Sequence, residues 1–162
     1  MTEKSFKILF DAHFDEIRRY LFFRSGDTVL STDLAQDTFM KVWEKQMELA
    51  PGKDAALLYK IAGDLFLSYI RRERLSEKIH HELKLEIRNE DTEQGIHYRE
   101  LKERYQKALM RLSEKQRIVF LMSRMDGFAY PEISERLAIS VKAVEKRMSA
   151  ALKHLRKELD AS

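Results

Sequence analysis

Cysteine is absent from this 162-residue chain, and proline (two) and glycine (five) are scarce. Without cysteine there is no disulfide framework and no thiolate metal site, which fits a reducing cytosol. With so few breakers, long helices are the natural elements, and no stretch alternates apolar and polar residues for long enough to read as a strand. No apolar run reaches the ~18 residues that mark a transmembrane helix. The opening MTEKSFKILFDAHFDE has acidic residues inside its apolar part and no cleavage pattern, so a signal peptide is not expected. Glycine-rich phosphate loops, HExxH and GxSxG are also missing. Asp33 and Asp37 share a helix face, but on an amphipathic helix that pattern suits a solvated or partner-binding face better than an acid/base pair. His80 and His81 are adjacent and so do not share a helix face, which argues against a metal site. The expectation is an all-α protein with no catalytic residues, no cofactor and no metal, acting in the cytoplasm by binding.

What is present is charge, at 35% of residues, and its distribution is uneven. Residues 1–75 hold 12 basic and 12 acidic side chains, residues 76–99 hold 4 and 6, and residues 100–162 hold 14 and 9. The positive field therefore belongs to the C-terminal part, where it favours phosphate backbones through counterion release.

Apolar periodicity divides the chain further. Phe6, Phe10, Phe14, Ile17 and Leu21 form a stripe at three- and four-residue steps that predicts a helix over 6–24. Asp15, Glu16, Arg18 and Arg19 face away, and Gly26 suits a left-handed cap. A second helix is expected after Ser31-Thr32-Asp33, with Asp33 and Gln36 resembling a capping box and Leu34, Phe39, Val42, Trp43 and Met47 inward. Pro51-Gly52 marks a loop. The third helix, from Asp54, ends with Phe66 and Tyr69 just before Arg71, Arg72 and Arg74. Aromatics beside arginines suit unpaired nucleic acid, although a buried pair with a cluster complementing the helix dipole reads better. The acidic, polar stretch 76–99 reads as a linker between two small helical domains.

The C-terminal domain reads as four helices. Leu101, Tyr105, Ala108, Leu109 and Leu112 point inward from the first, over 98–111. Ser113 begins the second, as a capping box with Gln116, and Ile118, Val119, Leu121, Met122 and Met125 form its buried side. Pro131 fits the first turn of a short third helix. After Ala138-Ile139-Ser140, with Ser140 as N-cap, Val144, Met148, Leu152, Leu155 and Leu159 form the apolar stripe of the fourth. Its other face carries Lys142, Lys146, Ser149 and Lys153, with Arg147 beside them. Ala143 and Ala150 are short enough for close approach to a groove. A short helix, a tight turn and a second helix with a basic face form a helix-turn-helix pattern.

These blocks together resemble a bacterial RNA polymerase sigma factor of the extracytoplasmic-function group, the minimal members of the sigma-70 family. The motifs that carry the resemblance are DLAQDTFMKVW at 33–43, LLYKIAGDLFLSYIRRER at 57–74, and the run from Leu112 to Lys157. The resemblance implies domains at 1–75 and 100–162 with the linker between them. It implies polymerase docking by Asp33, Leu34, Gln36, Asp37, Phe39 and Trp43, with the apolar members packing the domain and the polar ones meeting the largest subunit. Lys60, Asp64, Tyr69, Arg71 and Arg72 would fall in the segment reading the minus-ten element. Ser140, Lys142, Ala143, Lys146, Arg147 and Ser149 would read the minus-thirty-five element. RNA polymerase core, through its two largest subunits, promoter DNA and an anti-sigma factor are the implied partners, with no membrane insertion. The family's extended minus-ten reader and amino-terminal inhibitory segment are not expected. Four departures stand out: Asp64 where Asn is common, which puts a negative charge close to where DNA should lie, Ser68 where Asp is common, Gly63 where a basic residue is common, and Ala138 where the turn usually holds glycine. Two other functions fit the helix-turn-helix taken alone: a stand-alone regulator with an N-terminal sensor or dimerisation domain, and a helical adaptor whose basic faces bind an acidic protein.

Overall fold

The computed structural model describes residues 1–49, 53–75 and 96–160. Among the described residues it is all-α, with seven helices: α1 (Glu3–Ser25), α2 (Thr28–Glu44), α3 (Asp54–Leu75), α4 (Ile96–Arg111), α5 (Glu114–Arg124), α6 (Tyr130–Leu137) and α7 (Val141–Asp160). The first three pack on one another and the last four do the same, which gives two small helical domains. The linker expected over 76–99 lies outside the described residues up to residue 95, and α4 begins at Ile96. His80 and His81 also lie outside the described residues.

The first domain is organised around Phe39, which is fully enclosed. Phe10 meets it edge-on with ring centres 5.2 Å apart, and Phe14 stacks on Phe10 at 4.5 Å. Phe6 bridges Phe39 to Trp43, 5.1 Å away. The phenylalanine stripe of α1 is thus matched by one face of α2. Truncating a buried Phe costs about 3–5 kcal/mol, a large share of the 5–15 kcal/mol that typically separates folded from unfolded domains.

Local chemistry moved the start of α2. Its N-cap is Asp27, whose carboxylate accepts from Leu30 N at 3.0 Å, so the cap lies six residues before the expected Asp33. Ser31, fully buried, donates from Oγ to the Asp27 carbonyl and pairs with Ser25 Oγ. Those hydroxyls occupy the corner where a loop was expected to end. Gly26 adopts the left-handed cap of α1 (φ 69°) and returns its N–H to the Phe22 carbonyl.

The second domain buries Leu109, Leu121, Met122, Ile133 and Val144 completely. Two residues expected in its core are outside it: Leu101 is 55% and Met125 49% exposed. Leu101 lies in the N-terminal half of α4, whereas the buried Ala108 and Leu109 lie towards its other end. Met125 follows the last turn of α5, where the chain leaves the core for Gly127 (φ 70°). Ser113 accepts from Gln116 N at 3.2 Å as the N-cap of α5.

Candidate functional site

The helix-turn-helix is α6, the turn 138–140, and α7. Glu132 fixes its entry by accepting the Ala129 N–H at 3.0 Å. Ala138 takes a left-handed conformation (φ 54°, ψ 44°), the position where the family's glycine would carry no Cβ strain. Ser134 Oγ donates to the Ile139 carbonyl and pins the turn. Ser140 caps α7 as expected, accepting the Ala143 N–H at 3.0 Å. The enclosed Ile133 and Val144 join the two helices to the core. This leaves Ser140, Lys142, Lys146 and Ser149 exposed, with Ala143 and Arg147 half-buried beside them. All six share the first half of α7 or its cap, so the structure brings this set together.

On α2, Asp33, Gln36 and Asp37 are exposed on one side while Leu34 and Phe39 are buried in the core. Trp43 is half-buried against Phe6. The same helix therefore holds the domain together and presents a polar face. Met40, 56% exposed, was not singled out by sequence, and with Phe6 and Trp43 it adds an apolar patch to that face.

The α3 set divides. At 3.6 residues per turn, Lys60, Asp64 and Arg71 fall on one side, and Tyr69 falls about half a turn away from Lys60. Burial raises the Tyr69 hydroxyl pKa, and the charges of Glu73 and Asp27 add to that. Phe66 is buried under the Arg24 guanidinium, 4.6 Å from its ring centre, so it is a packed ring and not a stacking platform. Gly63 has a structural use: a Cβ there would stand 3.2 Å from Arg24 Nη1 and 3.4 Å from the Tyr20 hydroxyl.

The feature sequence reasoning missed is the contact between the domains. Glu16, expected to face solvent, is buried between His13 (3.2 Å) and Arg136 (3.3 Å). Burial by itself would raise its pKa, but the His13 hydrogen bond and the Arg136 charge outweigh that and hold it below the ordinary range. Arg136 also lies over the Phe128 ring at 4.1 Å. Arg19 pairs with Asp126 at 2.5 Å. Burial raises the Asp126 pKa, which the hydrogen bond from Arg19 offsets only in part. Arg24 pairs with Glu114 and donates to the Tyr20 hydroxyl at 3.1 Å. Arg117, 5% exposed, donates from Nε to the Phe23 carbonyl at 2.8 Å and from Nη2 to the Arg24 carbonyl at 3.2 Å. Both carbonyls belong to the last turn of α1, where no intrahelical donor is available and a cation suits the helix dipole. No spacing rule could have found these partners, because most lie about a hundred residues apart in the chain.

Two family models match, in order: "Sigma-70 region 2" over residues 9–75 and "Sigma-70, region 4" over residues 102–155. Among curated relatives, the ferric citrate uptake sigma factor FecI of Escherichia coli is 27% identical over 154 residues, covering 93% of this chain and 88% of that protein. The RNA polymerase sigma factor YlaC of Bacillus subtilis is 26% identical over 162 residues, covering 98% and 94%. The ECF RNA polymerase sigma factor SigE of Mycolicibacterium smegmatis is 27% identical over 150 residues, and the chain spans 57% of its length. Among solved structures, the sigma factor RpoE in complex with the anti-sigma factor NepR, from Bartonella quintana, has the same fold at a TM-score of 0.70 and 22% identity, covering 98% of this chain and 99% of that one. CnrH, solved with the cytosolic domain of CnrY, has a TM-score of 0.67 at 23% identity, covering 99% and 91%. With both regions matched in the order expected of a sigma factor, and with no such order called for by a stand-alone regulator or an adaptor, the chain belongs to the sigma-70 family, in its extracytoplasmic-function group.

Proposed function

We propose that this sigma factor directs RNA polymerase core to its promoters through three surfaces carried by two domains, residues 1–75 and, from the start of α4, 96–162, with the linker between them. Asp33, Gln36 and Asp37 on α2 meet the largest subunit, while Leu34, Phe39 and Trp43 hold the helix in register. Lys60, Asp64 and Arg71 on one side of α3 take the minus-ten strand as it separates, with Arg72 and Tyr69 as contacts further round the helix. Ser140, Lys142, Ala143, Lys146, Arg147 and Ser149 on α7 enter the upstream major groove, where phosphate contacts position the helix and base contacts specify the sequence. The groove between α4, α5 and α7, lined by Tyr105, Phe120, Met148, Leu152 and Leu155 with Arg124 and Arg156 at its edge, suits the flap of the other large subunit. The protein acts in the cytoplasm as a specificity factor and performs no chemistry itself.

The observation that carries this reading is the split character of α2 and α7. Each buries one face in its own domain and leaves the family-matched polar residues exposed, apart from the half-buried Arg147. Neither domain need bind DNA tightly alone, because tethering both on polymerase raises their effective concentration. An anti-sigma factor is proposed as the regulator, by analogy with the RpoE–NepR and CnrH–CnrY complexes. In vitro transcription with sigma-free core is the test. Promoter-dependent transcripts, lost with Asp37→Lys together with core binding, are expected; none from any candidate promoter would sink the reading.

A further inference from the structure

The acidic residues of α7 differ in what holds them. Glu158 pairs with Arg111 at 2.5 Å, and Asp160 ends the helix. Glu145 lies in the half of α7 that carries Ser140, Lys142, Lys146 and Ser149. It is exposed, and its side chain has no ion-pair or hydrogen-bond partner among the described residues.

The ordinary uses of a helical glutamate do not account for it. The positive end of the helix dipole acts within the first turn, but Glu145 is the fifth residue of α7, whose first turn holds no acid. The favourable glutamate–lysine pair needs a lysine four residues on, where Ser149 stands. Lys142, three residues before Glu145, is in the weaker order and makes no ion pair with it.

Helix geometry places the carboxylate on the surface that meets the groove. At about 100° per residue, Ser149, Lys142 and Lys153 lie opposite the buried Val144, Met148, Ala151 and Leu155. Glu145 stands about 40° to one side of Ser149, and Lys146 about 60° to the other. The groove-facing surface is therefore basic along one edge and acidic along the other. Glu145 is also only about 7.5 Å along the helix from the Ser140 cap, at the end that reaches base edges in helix-turn-helix proteins. A carboxylate there repels the phosphates that the lysines attract, and it can only accept hydrogen bonds. In the major groove the base donors are the amines of cytosine and adenine. The adenine amine adjoins N7, an acceptor that repels the second carboxylate oxygen. The cytosine amine has no acceptor beside it on its own ring edge.

We propose that Glu145 is a specificity-determining residue of α7, whose carboxylate accepts a hydrogen bond from the N4 amine of one cytosine in the upstream element. An element without that cytosine leaves the charge facing the groove with no donor, so Glu145 selects by rejection as well as by contact. That the cytosine lies in a promoter rests on the sigma reading above; that α7 reads it rests on the helix-turn-helix.

Genomic fragments retained by core polymerase with the wild-type chain supply a promoter, whose upstream element is then randomised and selected with the same holoenzyme. One position should favour cytosine by about fivefold or more over any other base. Glu145→Ala should bring that position to within about twofold of uniform and leave the other positions unchanged. It should also bind elements lacking the cytosine at least as tightly as the wild type does. Glu145→Gln should move the preference from cytosine to adenine, whose N6 and N7 suit a side-chain amide. Both variants change an exposed side chain, and unchanged helicity by circular dichroism checks that they fold. The same selection with the full chain alone, at low salt on randomised duplex, is the second arm. A cytosine-bearing element enriched only by the free chain, and lost in Glu145→Ala, keeps the role of Glu145 and counts against the sigma reading. Preferences of wild type and Glu145→Ala that coincide at every position overturn the role of Glu145 and leave the sigma reading intact. A chain that enriches no sequence in either arm overturns both.

Discussion

Ala138 and Glu16 show how single positions depart from what their residue types suggest. Ala138 sits at φ 54°, a conformation that costs an L-residue about 1–2 kcal/mol. Glycine removes that strain but loses more chain entropy on folding. Ala138→Gly should therefore raise stability by a few tenths to about 1 kcal/mol, read as a shift in urea midpoint at unchanged slope. The sequence showed that glycine was missing from the turn; only the backbone showed that the left-handed conformation was kept without it. Glu16 sat on what looked like the polar face of α1, yet it is buried against His13 and Arg136, with Asp126 and Tyr59 in its field. Its folded pKa is lowered from 4.5. Its contribution is therefore fully present above that value and is lost as pH falls through the lowered one. Urea melts taken from about pH 7 down to about pH 3 should show an acid-side loss of stability that is smaller in Glu16→Gln.

At the scale of elements, periodicity located the helices and local chemistry set their ends. The stripes of α1, α5 and α7 were legible because each buries one face at a 3.6-residue repeat. Ser113 and Ser140 were legible as caps because a hydroxyl before an apolar run has few other uses there. The start of α2 was misplaced because two cap candidates, Asp27 and Asp33, lie in one stretch, and buried bonds among Ser25, Asp27 and Ser31 chose the earlier one. For α2, Phe39→Ala should cost about 3–5 kcal/mol and unfold the first domain near physiological temperature, seen as lost helicity on thermal melting. For α7, Lys146→Ala should weaken upstream promoter binding by the holoenzyme to a similar degree on all sequences. It should also reduce the slope of log affinity against log salt by about 1 if it neutralises a phosphate. Fluorescence anisotropy over a salt series checks both.

The whole molecule is where the sequence was silent. The Arg19–Asp126 pair is only partly exposed: Arg19 is partly solvated while the Asp126 side chain is enclosed, so desolvation of the carboxylate offsets much of the attraction. The buried hydrogen bonds of Arg117 to the α1 carbonyls fall in the class worth about 1.5–3 kcal/mol. The end of α1 is thus completed by the other domain. A fragment of residues 1–75 should accordingly melt with about 1–3 kcal/mol less stability than the same domain in the full chain, measured by urea titration followed through Trp43 fluorescence.

The sequence by itself determined the helical class, the division into two domains, the helix-turn-helix with its cap at Ser140, and the polar faces of α2 and α7. Each of these rests on interactions between residues a few positions apart, which a one-dimensional pattern records. Only the tertiary structure decided that Glu16 and Arg117 are buried, that Gly63 makes room for Arg24, and that α6 stands over α3. Those outcomes depend on contacts between residues far apart in the chain, many about a hundred positions, and on which helix face meets which. The charge and periodicity of either partner alone do not encode them.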